Sequence, residues 1–72
     1  MAEFRVIRAL KAQANADREK ALMVLELLTE SPSGIGDHTS DDFLKDATTS
    51  LKLLASADER LETLEKYFNG EA

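Results

Sequence analysis

Between Ser31 and Asp41 the chain concentrates its only proline, two of its three glycines and its only histidine, in the run Ser-Pro-Ser-Gly-Ile-Gly-Asp-His-Thr-Ser-Asp. Neither Ala2 to Thr29 before it nor Asp41 to Asn69 after it contains a glycine or a proline. In a helix interior Gly costs about 1 kcal/mol and Pro about 3 kcal/mol relative to Ala. Two long stretches free of both, around a segment that collects them, read as helix, loop and helix. The expected organisation is a single all-α domain with a helix over 2–29, a loop over 30–40, a helix over 41–69 and a tail over 70–72.

The first stretch is rich in Ala, Leu, Glu, Lys, Arg and Gln, which are good helix formers. Its apolar residues Ile7, Leu10, Ala14, Ala21, Val24 and Leu28 alternate spacings of three and four, which places them on one face, and the series is interrupted at Asp17. Around Ala12 to Glu19 this face is thin, so two backbones can approach closely there. Towards the end it widens, because Leu22, Met23, Leu25 and Leu27 add apolar surface beside the seam. Such a width calls for burial on several sides. A second strip at the same spacing carries Phe4, Arg8, Lys11, Asn15 and Arg18, with Arg5 beside it. It reads as a solvated face whose long side chains shield the seam, or as a basic stripe that holds an anion.

Phe43, Ala47, Ser50, Leu54, Ala57, Leu61, Leu64 and Phe68 form the matching stripe of the second helix, with Leu44 and Leu51 on one side and Leu53 and Tyr67 on the other. Its polar face carries Asp46, Lys52, Asp58, Glu59, Glu62 and Lys66, where Glu62 and Lys66 are spaced for an i, i+4 ion pair. Glu59 and Glu62 resemble half of the paired Glu motifs of all-helical metal-dependent nucleotide hydrolases. The other half is missing and no Glu-x-x-His occurs, so these acids read as solvated surface. Asn69-Gly70 supplies a helix stop.

In the loop, Pro32 disfavours helical geometry at Ser31, and Gly34 and Gly36 allow the chain to reverse. Asp37, Thr39 and Ser40 offer capping oxygens for the next helix, and Asp41 and Asp42 in its first turn suit the helix dipole. Backbone N–H groups near Gly34 and Gly36 are an alternative anion site, although the pattern lacks the lysine and the preceding strand of a P-loop. A metal site on Asp37, His38, Asp41 and Asp42 fits no defined ligand pattern, and His38 reads as a hydrogen-bonding group of the loop or of a neighbouring subunit. No metal or cofactor is expected.

With 72 residues and no cysteine, the chain sits near the lower size limit for a core that is stable alone, and it cannot draw on a disulfide. Each expected helix is about 42 Å long, and the short Gly-rich connection folds them back as an antiparallel hairpin. Such a hairpin shares one seam and leaves further leucines uncovered. Burial of a Leu is worth about 1.5–3 kcal/mol, so the expected state is a homo-oligomeric helical bundle, a dimer or larger. The expected interface comprises Leu22, Leu25, Leu28, Leu44, Leu51, Leu54, Leu61 and Phe68. The net charge of -5 comes wholly from residues 31–72, with nine acidic and four basic groups against five of each in residues 1–30. That balance excludes duplex nucleic acid as an expected partner. The longest apolar run, Ala21 to Leu25, is far short of the ~20 residues that span a bilayer, and the N-terminus lacks the apolar core of a signal peptide. The expected location is the cytoplasm.

The run Gly34-Ile35-Gly36-Asp37-His38, between a helix ending Leu27-Leu28 and an acidic one ending Tyr67-Phe68, is similar to short uncharacterised proteins of tailed bacteriophages. The resemblance implies context: stoichiometric binding, such as blocking a host protein or sequestering a nucleotide immune signal. It brings no catalytic or binding residue with it. Three readings follow. The first is a non-enzymatic module that sequesters a small anion between subunits through Arg5, Arg8, Lys11 or Arg18, with Gly34, Gly36 and His38 as loop candidates. The second is an inhibitor or adaptor that offers its apolar or acidic helix face to a host protein, and the third is a structural virion component. An enzyme is not expected, because general acid–base work would fall to carboxylates with no evident pocket.

Overall fold

The computed structural model describes residues 2–30 and 40–68, with side chains over 5–30 and 41–68. Helix α1 spans Ala2–Glu30 and helix α2 spans Ser40–Phe68, 29 residues each, against the expected 2–29 and 41–69. At 1.5 Å per residue each is about 43 Å long, and they pack side by side into a rod of 51 × 15 × 15 Å. Their sense is antiparallel. Asp17 and Arg18 in α1 meet Arg60 and Asp58 in α2, while Leu10, nearer the start of α1, lines a groove with Leu64, nearer the end of α2.

Local chemistry supports both helices. Asp41 and Asp42 lie in the first turn of α2 and Lys66 in its last, each with the sign that the helix dipole favours. In the last turn of α1 the Thr29 hydroxyl donates to the Leu25 carbonyl at 2.8 Å. The i, i+4 pair expected between Glu62 and Lys66 is not among the ion pairs of the described residues; the Lys66 ammonium sits 5.4 Å from the centroid of the Tyr67 ring.

Burial follows the three-and-four spacing of both stripes except at the open end, where Leu10 and Phe68 are 44% and 45% exposed. Ala14, Ala21 and Ala57 are at most 1% exposed, and Ser50 and Leu64 are also buried. Ile7, Val24 and Leu28 of α1 and Phe43, Ala47, Leu54 and Leu61 of α2 are half-buried along the same line. Among the described residues, nothing larger than alanine is fully buried. Only the small side chains of the seam are wholly covered, and its larger ones keep part of their apolar area in water.

The seam does not end at Asp17. Its carboxylate occupies the next position of the series and accepts a hydrogen bond from the Arg60 guanidinium at 2.9 Å. Arg60 is braced in turn by its Nε, which donates to the Ser56 carbonyl and hydroxyl at 3.2 Å each. An ion pair stands where the period calls for an apolar layer.

Candidate functional site

The two interhelical ion pairs lie on opposite flanks of the rod, so they locate every other side chain. Residues seven apart on a packed helix recur on the same flank, about 10.5 Å further along. Arg18 and Asp58, 3.4 Å apart, mark the first flank. One rung towards the open end stand Lys11 and Glu65; one rung towards the loop end stand Leu25 and Leu51. The adjoining outer positions are Arg8 and Leu22 on α1, and Ala55 and Glu62 on α2. Asp17 and Arg60 mark the second flank. Along it run Val6, Gln13, Lys20 and Leu27 from α1, and Tyr67, Leu53 and Asp46 from α2, with Met23 just outside.

The first flank is divided lengthwise. Its loop half is apolar, and the side chains are in water: Leu22, Leu44 and Leu51 are all exposed, the last two by 60% and 57%. Leu25 is half-buried. Its open half is charged, with Arg8, Lys11 and Arg18 on α1 and Asp58, Glu62 and Glu65 on α2. Among these six charges, all described residues, Arg18 and Asp58 make the one ion pair within 4 Å. The second flank carries fewer charges and more scattered apolar groups. Val6, Met23, Leu27 and Tyr67 are exposed there, and Leu10, Gln13, Arg60, Thr63 and Leu64 border a mainly apolar groove of about 340 Å³.

The basic candidates read from the sequence do not form one pocket. Arg5 and Arg8 line a shallow open depression of about 520 Å³ with Ala9 and Ala12 on the outside of α1. Lys11 is half-buried at the edge of the seam, and Arg18 is held by Asp58. Gly34, Gly36 and His38 lie outside the described residues, as do the capping candidates Asp37 and Thr39 and the helix stop at Asn69-Gly70. Of the interface candidates, Leu22, Leu44, Leu51 and Phe68 are exposed, whereas Leu25, Leu28, Leu54 and Leu61 are half-buried.

Arg60 and the second flank are what sequence reasoning did not single out. The available signal was Asp17 at a seam position, which needs an opposite charge from the facing helix. Among the described residues no group of acids or histidines is arranged to hold a metal, no buried side-chain polar atom lacks a partner, and no helix is long and apolar enough to cross a membrane. A depression of about 600 Å³ near the loop end of α1 is lined by Leu22, Met23 and Leu25 and rimmed by Glu19, Glu26 and Glu30. Its chemistry is that of an apolar contact surface with an acidic edge. Comparison of the chain with family models, with curated proteins and with solved structures finds no match.

Proposed function

We propose that this protein is a non-enzymatic binding module, a hairpin that self-associates into a helical bundle and holds a helical surface of a partner protein stoichiometrically. The observation that carries this reading is the distribution of apolar groups. The hairpin wholly covers only the small seam residues Ala14, Ala21 and Ala57, while Val6, Leu22, Met23, Leu27, Leu44, Leu51 and Tyr67 stand in water on both flanks. Large exposed apolar patches mark interaction surfaces in small proteins. Two flanks give one surface for self-association and one for a partner. The cysteine-free composition suits a reducing cell interior, and a phage-encoded accessory factor acting on a host protein is the context we assign.

The test has two parts. Sedimentation velocity from about 5 to 200 µM is expected to show concentration-dependent association, and a folded monomer throughout that range would refute the self-association. A photo-crosslinking residue at Leu27 on the second flank is then expected to trap one discrete partner species that the same residue at Lys52, on the outer face, does not. Equal labelling from both positions would refute a partner-specific flank.

The small-anion reading is supported by one feature, the shared depression of Arg5 and Arg8. The acids level with Lys11 and Arg18 count against extending it along the stripe. Native mass spectrometry with a nucleotide and cyclic-dinucleotide panel separates the two readings: a defined oligomer that gains an integral number of nucleotide masses, lost on Arg8→Ala, would replace the protein-partner reading.

A further inference from the structure

We infer that the surface covering the first flank is the first flank of a second copy of this chain, related by a two-fold axis parallel to the rod so that both loop ends lie together. The inference rests on the self-association proposed above and names its face and orientation.

The argument starts from symmetry. A closed dimer uses the same patch on both copies, so whatever residue i of one meets in the other, the reverse contact is also made. With the axis along the rod, α1 of one copy faces α2 of its partner at the same level. The apolar loop half then meets an apolar loop half, with Leu25 level with the counterpart of Leu51 and Leu22 within one turn of it. In the open half, Lys11 and Arg18 face the counterparts of Glu65 and Asp58 at the same levels, while Arg8 and Glu62 are offset by about 9 Å along the axis at 1.5 Å per residue. Two basic groups meet two acidic groups, twice over. Such complementarity fixes orientation and register more than it adds raw affinity.

With the axis across the rod, the same face would lay α1 on α1, run the copies in opposite directions and press the exposed leucines onto the charged half. Desolvating charges against hydrocarbon is costly, so this orientation is disfavoured. The second flank offers less matching. Asp17 and Arg60 are its one level pair of opposite charges, against two on the first flank, and Lys20 and Asp46 stand at different levels.

The size of the flank is also adequate. A face of 51 × 15 Å offers on the order of 750 Å² per copy, close to the ~800 Å² per partner of a standard stable interface. Covering it gives a four-helix bundle whose core gains the leucines that the hairpin leaves out.

The test uses charge reversal and single labels. One variant carries Arg8→Glu, Lys11→Glu and Arg18→Glu; the other carries Asp58→Lys, Glu62→Lys and Glu65→Lys. Each alone opposes like charges across the interface and is expected to weaken its own dimer at least tenfold. Mixed, they are expected to form a heterodimer of near wild-type affinity. If either loses its helical circular dichroism, Lys11→Glu and Glu65→Lys, which stand at one level, are used singly with the same readout.

Because the chain has no cysteine, Lys45→Cys at the loop end and Lys66→Cys at the open end each carry one spin label. The two positions are about 31 Å apart along the axis, at 1.5 Å per residue. In the inferred dimer, like labels are closest and unlike labels are far apart. If unlike labels are closest, the copies run in opposite directions and the inference is overturned. If the protein dimerises but neither reversal nor mixing changes its affinity, the face is wrong while self-association stands. A wild-type monomer at 200 µM would overturn the self-association itself, and the inference with it.

Discussion

Replacing Asp17 with leucine is expected to stabilise the protein. Asp17 holds a seam position, and its side chain is only 32% exposed, so about two-thirds of a leucine there would leave water. Full burial of Leu is worth about 1.5–3 kcal/mol, which gives roughly 1–2 kcal/mol for this site. Against that stands the loss of the bond to Arg60. That guanidinium is 38% exposed, and a pair this open to solvent contributes about 0.5–1 kcal/mol. Arg60 is not stranded by the change, because its Nε keeps the Ser56 carbonyl and hydroxyl and its tip reaches water. The net expectation for Asp17→Leu is a gain of about 0.75 kcal/mol within a range of about 0–1.5 kcal/mol, or a Tm higher by roughly 3–6 °C at the centre of that range in a domain of this size. Urea and thermal denaturation followed by far-UV circular dichroism measure it, with all samples at one protein concentration because association contributes to stability. A loss of more than about 1 kcal/mol would refute the reasoning. It would mean that the Asp17–Arg60 pair stabilises the hairpin more than an apolar layer does.

Other changes probe the seam and the flanks separately. Leu64→Ala removes the largest buried side chain of the described seam and is expected to cost about 2–4 kcal/mol, read from the urea midpoint. Ala57→Phe forces a large ring where the exposure is 0% and is expected to cost about 1–3 kcal/mol by overpacking; unchanged stability would show that the helices can separate freely there. Leu51→Lys lies on the first flank and is expected to weaken self-association at least tenfold in sedimentation while helicity is kept, whereas Leu27→Glu on the second flank leaves self-association unchanged and removes partner capture. Raising NaCl from about 0.05 to 0.5 M is expected to weaken the mixed charge-reversed heterodimer more than the wild-type dimer, because one flank of the heterodimer is wholly acidic and the other wholly basic whereas each wild-type flank carries both signs; equal and negligible salt dependence in both would argue that the charges do not meet.

Much of the hairpin was legible because it rests on local rules. A stretch of twenty-eight or so residues without Gly or Pro has few alternatives to helix, and the alternation of three and four identified the inward face in both segments. Ala14, Ala21 and Ala57 are buried where that spacing puts them. The expectation of a close approach where the stripe is thin also follows from side-chain size, since an alanine face permits what a leucine face prevents. What the sequence did not display is pairing across the helices. Asp17 looked like an interruption because its partner Arg60 lies 43 positions away, and nothing in a one-helix pattern links them. The basic stripe was similarly misleading in one dimension. Arg8, Lys11 and Arg18 read as a continuous cationic line on α1, but antiparallel packing sets Glu65 level with Lys11 and Asp58 level with Arg18.

That juxtaposition links the fold to what the protein can do. The seam wholly covers only alanines and leaves its larger members half-buried, and the bulky residues at neighbouring positions stand on the flanks. The more closely the hairpin closes, the more its leucines are left on the flanks. Stability and binding therefore draw on the same residues: Leu22, Leu25, Leu44 and Leu51 contribute to a core only when something else supplies its other half. For a chain near the lower size limit of independent folding, the proposed association would then be part of how the structure is held, with the charged half of the first flank setting the direction in which the second copy runs.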